Sequence, residues 1–85
     1  MLQLKFTTEA SEDLAKLDKS AARQVYRKLI WLAEKFDLIA PEPLSGEWKG
    51  VYKLRVGDYR ALYTFDNTQL IVHFIRHRRE VYKIK

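Results

Sequence analysis

Residues 51–65, Val51-Tyr52-Lys53-Leu54-Arg55-Val56-Gly57-Asp58-Tyr59-Arg60-Ala61-Leu62-Tyr63-Thr64-Phe65, carry the pattern on which the fold turns. Two runs rich in β-branched and aromatic residues alternate with a period of two. Only Gly57-Asp58 separates them, and a two-residue loop with glycine in the first central position is a hairpin turn. Side chains alternate across a strand, so Lys53 and Arg55 point one way while Tyr52, Leu54 and Val56 point the other. On the returning strand Arg60, Leu62 and Thr64 share a face opposite Tyr59, Ala61, Tyr63 and Phe65. The aromatic-rich side needs a cover, which leaves Lys53, Arg55 and Arg60 converging on the open side.

Reading outward, Asp66-Asn67-Thr68 makes the next turn and Gln69 to Arg76 a third strand, nearly continuous in apolar residues, as for a strand covered on both faces. The tail from Arg78 to Lys85 alternates again and either adds a short edge strand or lies across the sheet. On the other side of the hairpin, Asp37 to Gly50 holds both prolines and two of the three glycines, the composition of a loop. Before it, Ala22, Val25, Tyr26, Leu29, Ile30, Leu32, Ala33 and Phe36 follow a 3.6-residue period, a helix capped by Asp18 or Ser20. A shorter helix precedes it, capped by Thr7 or Thr8, with Glu9, Glu12 and Asp13 in its first turns where carboxylates favour the dipole. Its apolar stripe is Ala10, Leu14 and Leu17. Leu2 to Phe6 alternates and reads as a strand. The expected fold is α+β: an N-terminal strand, an αα-hairpin packed on one sheet face, then a three-stranded antiparallel meander with a short C-terminal tail, residues 1–85 forming one domain.

The chain has 85 residues and no cysteine, which excludes a disulfide scaffold and a Cys-based zinc module. With 47% hydrophobic residues it can build a core, so disorder is not expected. No apolar stretch approaches the length of a membrane span, and the opening Met1-Leu2-Gln3-Leu4-Lys5 lacks the layout of a signal peptide, so a cytoplasmic protein without a membrane partner is expected. Sixteen Lys+Arg against 11 Asp+Glu give a formal net charge of +5. Residues 1–46 hold seven bases and seven acids, so the whole excess lies in residues 47–85. A neutral scaffold joined to a basic half suggests a polyanion partner, most simply nucleic acid. A solvated basic surface would give the same sum.

Three cations on adjacent strands repel one another, so stability alone would not gather Lys53, Arg55 and Arg60. Arg76, His77, Arg78 and Arg79 follow at the end of the last strand, with Tyr82 close behind. Clustered arginine suits bidentate phosphate recognition, and a cationic surround favours the deprotonated form of a nearby Lys or Tyr. These are conditions for activating a ribose 2′-hydroxyl. No carboxylate pair for glycoside chemistry, Gly-rich phosphate loop or nucleophilic Ser beside a His is present. Neither a cofactor nor a metal is expected, since His73 and His77 lack partner ligands. Strand parity sets His73 with Ile71 and Ile75, as a core histidine; the role of His77 stays open.

Leu44-Ser45-Gly46, then Tyr52-Lys-Leu-Arg-Val-Gly-Asp-Tyr-Arg60, then Arg76-His-Arg-Arg-Glu-Val-Tyr82 together resemble the RelE/ParE superfamily of toxins from toxin–antitoxin systems. The resemblance covers essentially the whole chain. In the RelE branch it implies a metal-independent, ribosome-dependent endoribonuclease, an mRNA interferase that cuts the codon in the aminoacyl site by 2′-oxygen attack. The products would be a 2′,3′-cyclic phosphate and a 5′-hydroxyl. Position by position, the resemblance assigns Lys53 and Arg55 to the paired basic residues, Arg60 to the scissile phosphate, Arg78 to transition-state charge and Tyr82 to stacking or proton transfer. Arg79 is the alternative to Arg78, and Lys53 or Tyr82 would be the base. Lys49, Arg76, His77, Arg79 and Lys83 would add RNA contacts. The implied partners are a cognate antitoxin, forming an oligomer with the toxin, together with the ribosome and mRNA. Two rivals stand beside this reading: the ParE branch, which poisons DNA gyrase, and a non-catalytic RNA- or ribosome-binding module.

Overall fold

The computed structural model describes residues 1–45 and 48–81. The hairpin lies where the alternation puts it, with β3 at Tyr52–Val56 and β4 at Tyr59–Phe65. Val56 opposes Tyr59, and Gly57 takes φ +57° while Asp58 keeps a negative φ, as a turn needing positive φ only at its first central residue requires. Asp66 builds the next turn by accepting the backbone N–H groups of Thr68 at 2.8 Å and Gln69 at 3.0 Å. The third meander strand, β5, is Gln69–His77.

The meander is the centre of a larger sheet. β1, Gln3–Phe6, runs parallel to β5, and a two-residue strand, β2, Glu42–Pro43, pairs with β3 inside the stretch expected to be loop. The order is β1-β5-β4-β3-β2. α1, Thr8–Lys16, is capped by the Thr7 hydroxyl and α2, Lys19–Glu34, by the Asp18 carboxylate, each accepting the N–H three residues on. α2 ends before a single 3₁₀ turn at Phe36–Leu38.

Val25, Leu29 and Leu32 of α2 bury against Ala61, Tyr63, Leu70, Val72 and Ile75 of the sheet, with Tyr52, Leu54 and Val56 packing beside them. This is the face that strand parity assigned to the helices. Burial pushes the Tyr63 phenol up to about 12, chiefly by desolvation, so it stays protonated.

Two expectations are corrected. The opposite face is not left open: Leu44, Leu62 and Val81 form a second small core there, with Trp48, Val51 and Phe74 against it. Val81 therefore lies across the sheet rather than on its edge. The ladder between β4 and β5 also slips by one residue at Leu62/Tyr63, so Leu62 opposes Phe74 while Tyr63 opposes Val72. A bulge shifts the alternation. Val72 and Ile75, three apart, both enter the main core, whereas Ile71 and His73 are only half-buried. His73 instead meets the Thr64 hydroxyl through Nε2 at 2.8 Å.

β1 covers only the first half of β5, and α1 covers the edge of the rest. The Thr7 hydroxyl donates to the His73 carbonyl at 3.2 Å, and Asp13 Oδ2 accepts the Ile75 N–H at 3.0 Å. An edge strand's unpaired backbone groups are thus satisfied by side chains.

Candidate active site

Register places three arginines in one row across the sheet: Arg55 opposes Arg60 on β4, and Arg60 opposes Arg76 on β5. Like charges so placed repel, and the fold answers each with acceptors. Arg60 turns back on its own hairpin, donating from Nη1 to the carbonyls of Gly57 at 2.9 Å and Tyr59 at 2.8 Å. Arg55 Nη2 reaches Glu42 Oε2 at 2.7 Å, and Lys53 Nζ lies 3.6 Å from the same oxygen. The Arg55 hydrogen bond holds the Glu42 carboxyl below the usual carboxylate range. Arg76 donates from Nε to Asp13 at 2.9 Å and from Nη2 to Glu9 at 3.2 Å.

Lys53, Arg55, Arg60 and Arg78 come together with Val81 around a cleft of about 210 Å³. β3 supplies the first two and the start of β4 the third. Arg78 follows β5, tied to the hairpin by its backbone N–H, which donates to the Asp58 carbonyl at 2.7 Å, and by its Nε, 3.8 Å from Asp58 Oδ1. The hairpin turn therefore fixes both Arg60 and Arg78. Four donors of positive charge around a space of this size can hold a phosphate, with planar guanidinium groups offering paired N–H bonds. Glu42 shows that an anion sits comfortably on Arg55 and Lys53.

The other sequence-assigned residues are dispersed. Arg76 is engaged by α1 and lines a different cleft, of about 400 Å³, with Asp13, His77 and Glu80. His77 packs edge-on against Tyr59, and its Nδ1 accepts the Arg79 N–H at 3.2 Å. Lys49 and Arg79 are exposed. Tyr82 and Lys83 lie outside the described residues. Sequence reading missed Glu42 as the carboxylate on the basic pair and Asp58 as the anchor of Arg78. It placed Asp13 on the helix dipole, whereas the side chain is 7% exposed and bonds to the sheet. For Glu42 a signal existed: it stands between Pro41 and Pro43, two residues of fixed φ suited to an edge strand.

A sheet with an αα-hairpin on one face and a cluster of cations on the other defines a class. The chain belongs to the RelE/ParE superfamily: the family described as ParE toxin of type II toxin-antitoxin system, parDE, matches residues 4–82. Toxin RelG of Mycobacterium tuberculosis is 30% identical over 82 residues, covering 94% of each chain. Among solved structures, the toxin–antitoxin complex RelBE2 from M. tuberculosis contains a chain with TM-score 0.79 and 31% identity, covering 91% of this chain and 98% of that one. The chromosomal ParDE system from P. aeruginosa gives TM-score 0.72 at 20% identity over 91% of this chain and 96% of that one, which shows the shared fold alone. Among the described residues no helix is long and apolar enough to cross a membrane.

Proposed function

We propose that this toxin is an mRNA interferase: a ribosome-dependent endoribonuclease that cuts mRNA in the aminoacyl site. The observation that carries the reading is the convergence of Lys53, Arg55, Arg60 and Arg78 on one phosphate-sized cleft. Arg60 and Arg78 would hold the non-bridging oxygens of the scissile phosphate, whose charge grows in the transition state. The ribose 2′-oxygen attacks phosphorus while its proton passes to Lys53 or Tyr82. The bond to the 5′-oxygen breaks, that oxygen takes a proton, and a 2′,3′-cyclic phosphate and a 5′-hydroxyl remain. A preorganised donor to a developing oxyanion is worth about 10²- to 10³-fold in rate, and a positioned base about 10²- to 10⁴-fold. The open cleft leaves substrate positioning to the ribosome. Lys49, Arg79 and Lys83 would add phosphate contacts.

The second reading is inhibition of DNA gyrase, favoured by the family description, which names ParE toxins. Expression of wild type, Arg60→Ala and Tyr82→Phe, with 5′ ends mapped on translated messages, separates the two. Codon-phased cleavage lost in Arg60→Ala is the expected result. Growth arrest without such cleavage, with purified gyrase inhibited, would sink the nuclease reading. A cognate antitoxin is the expected partner, as in the RelBE2 complex. Saturating the toxin with it should suppress ribosome binding.

A further inference from the structure

Three clefts follow one another around the outer edge of the hairpin, each sharing lining residues with the next. The cation cleft meets a second, of about 260 Å³, through Lys53 and Arg55. The second meets a third, of about 450 Å³, through Lys28 and Trp31 on α2. β2 pairs only with Tyr52 and Lys53, so among the described residues the outer edge of β3 from Leu54 to Val56, away from β4, carries no strand. At the far end Trp31 is 42% exposed, with the Lys28 ammonium 4.8 Å from its ring centroid and Arg27 beside it in the same cleft. Cations thus mark the path from end to end: Arg27, Lys28, Lys53, Arg55, Arg60 and Arg78. Among the described residues lining it, Glu42 is the one carboxylate, and its charge is met by Arg55 and Lys53.

We infer that this path is a track for single-stranded RNA continuing from the scissile phosphate, with Trp31 stacking an unpaired base and Arg27 and Lys28 holding the backbone. The inference rests on the RNA-cutting reading of the cation cleft. A charged groove leading to an exposed aromatic face is the pattern by which proteins hold single strands without reading sequence. An acidic peptide would find the same charge. It has no need of the flat ring or of continuity with a phosphate-sized cleft, so RNA is the better occupant.

The test uses the full chain and 2′-O-methyl RNA, which lacks the attacking hydroxyl and stays intact. Trp48→Phe leaves Trp31 as the single fluorescent indole. An RNA of about ten nucleotides should quench it and bind at least about tenfold more tightly than a trinucleotide. Trp31→Ala should weaken the longer RNA by roughly 5- to 100-fold, with trinucleotide affinity and melting temperature unchanged. Arg27→Glu with Lys28→Glu gives a second route to the same loss if Trp31→Ala melts early. Equal binding of the two RNAs, or indifference to these substitutions, overturns the track while leaving the cleft. Quenching of Trp31 by an acidic peptide but not by RNA overturns it in favour of a protein site. Absence of any RNA binding overturns the track, and absence of Arg60-dependent cleavage on translated messages in addition overturns the cleft reading.

Discussion

The two faces of one sheet are organised by opposite rules. On the helix-covered face, buried leucine, valine and tyrosine side chains meet Val25, Leu29 and Leu32, and packing does the stabilising. On the other, a small core of Leu44, Leu62 and Val81 supports a row of mutually repelling cations. The first face gains from every contact it makes. The second holds charges together against their repulsion, through carbonyls and carboxylates that accept from them. Apolar packing and the cation cluster are thereby separated across the thickness of a single sheet.

The comparison breaks most visibly if a core side chain is cut back. Leu29→Ala should cost about 2–5 kcal/mol and lower the melting temperature by roughly 10 °C or more. A drop of only a degree or two would mean that α2 is not the main stabiliser. Arg60→Ala should do the reverse, removing about 10²- to 10³-fold of cleavage while the melting temperature holds or rises, since one repelling charge leaves the row. A large fall in stability would make Arg60 structural.

Asp13→Ala probes the seam where the two faces meet at the β5 edge. It leaves the Ile75 N–H without its acceptor and should cost about 1–3 kcal/mol in denaturant unfolding. Hydrogen exchange should show Ile75 opening first. Unchanged protection there would mean another group takes over.

The smallest effect is expected at Glu42. Glu42→Gln removes the carboxylate that occupies Arg55 and Lys53, so RNA affinity should rise a few-fold. Lost cleavage with retained binding would instead move proton acceptance to Glu42. The carboxyl is held below its ordinary range, so its contribution to stability is present above about pH 4.3 and disappears as pH falls through the lowered value. Wild type and Glu42→Gln should differ slightly in urea midpoint at neutral pH and converge in acid. A difference growing toward low pH would contradict this sign.

Local chemistry made much of this legible. Caps at Thr7 and Asp18, the helical period of α2 and the turn at Gly57-Asp58 act within a few residues, so the sequence displays them directly. The same holds for Lys53, Arg55 and Arg60, whose common side follows from alternation through one tight hairpin. Arg76 escaped because its partners, Asp13 and Glu9, lie more than sixty residues away, and no spacing announces so distant a contact. Glu42–Pro43 escaped for a different reason. A ladder of two positions, one a proline and the other flanked by prolines, has loop composition, and only the neighbouring strand makes it a strand. The side of His73 was misread because a single extra residue reverses alternation without altering composition.

That extra residue has a consequence for how the molecule can change over generations. Because the bulge at Leu62/Tyr63 lets Leu70 and Val72 obey one phase and Ile75 the other, the two halves of β5 are separate reading frames written on one strand. Deleting His73, the residue left without a partner between them, would join the two frames into one regular ladder, whereas a deletion elsewhere in β5 would reverse one half against the other, sending Arg76 toward the helices or Ile75 into water. Length changes in β5 are therefore expected to be tolerated at His73 and rejected on either side of it.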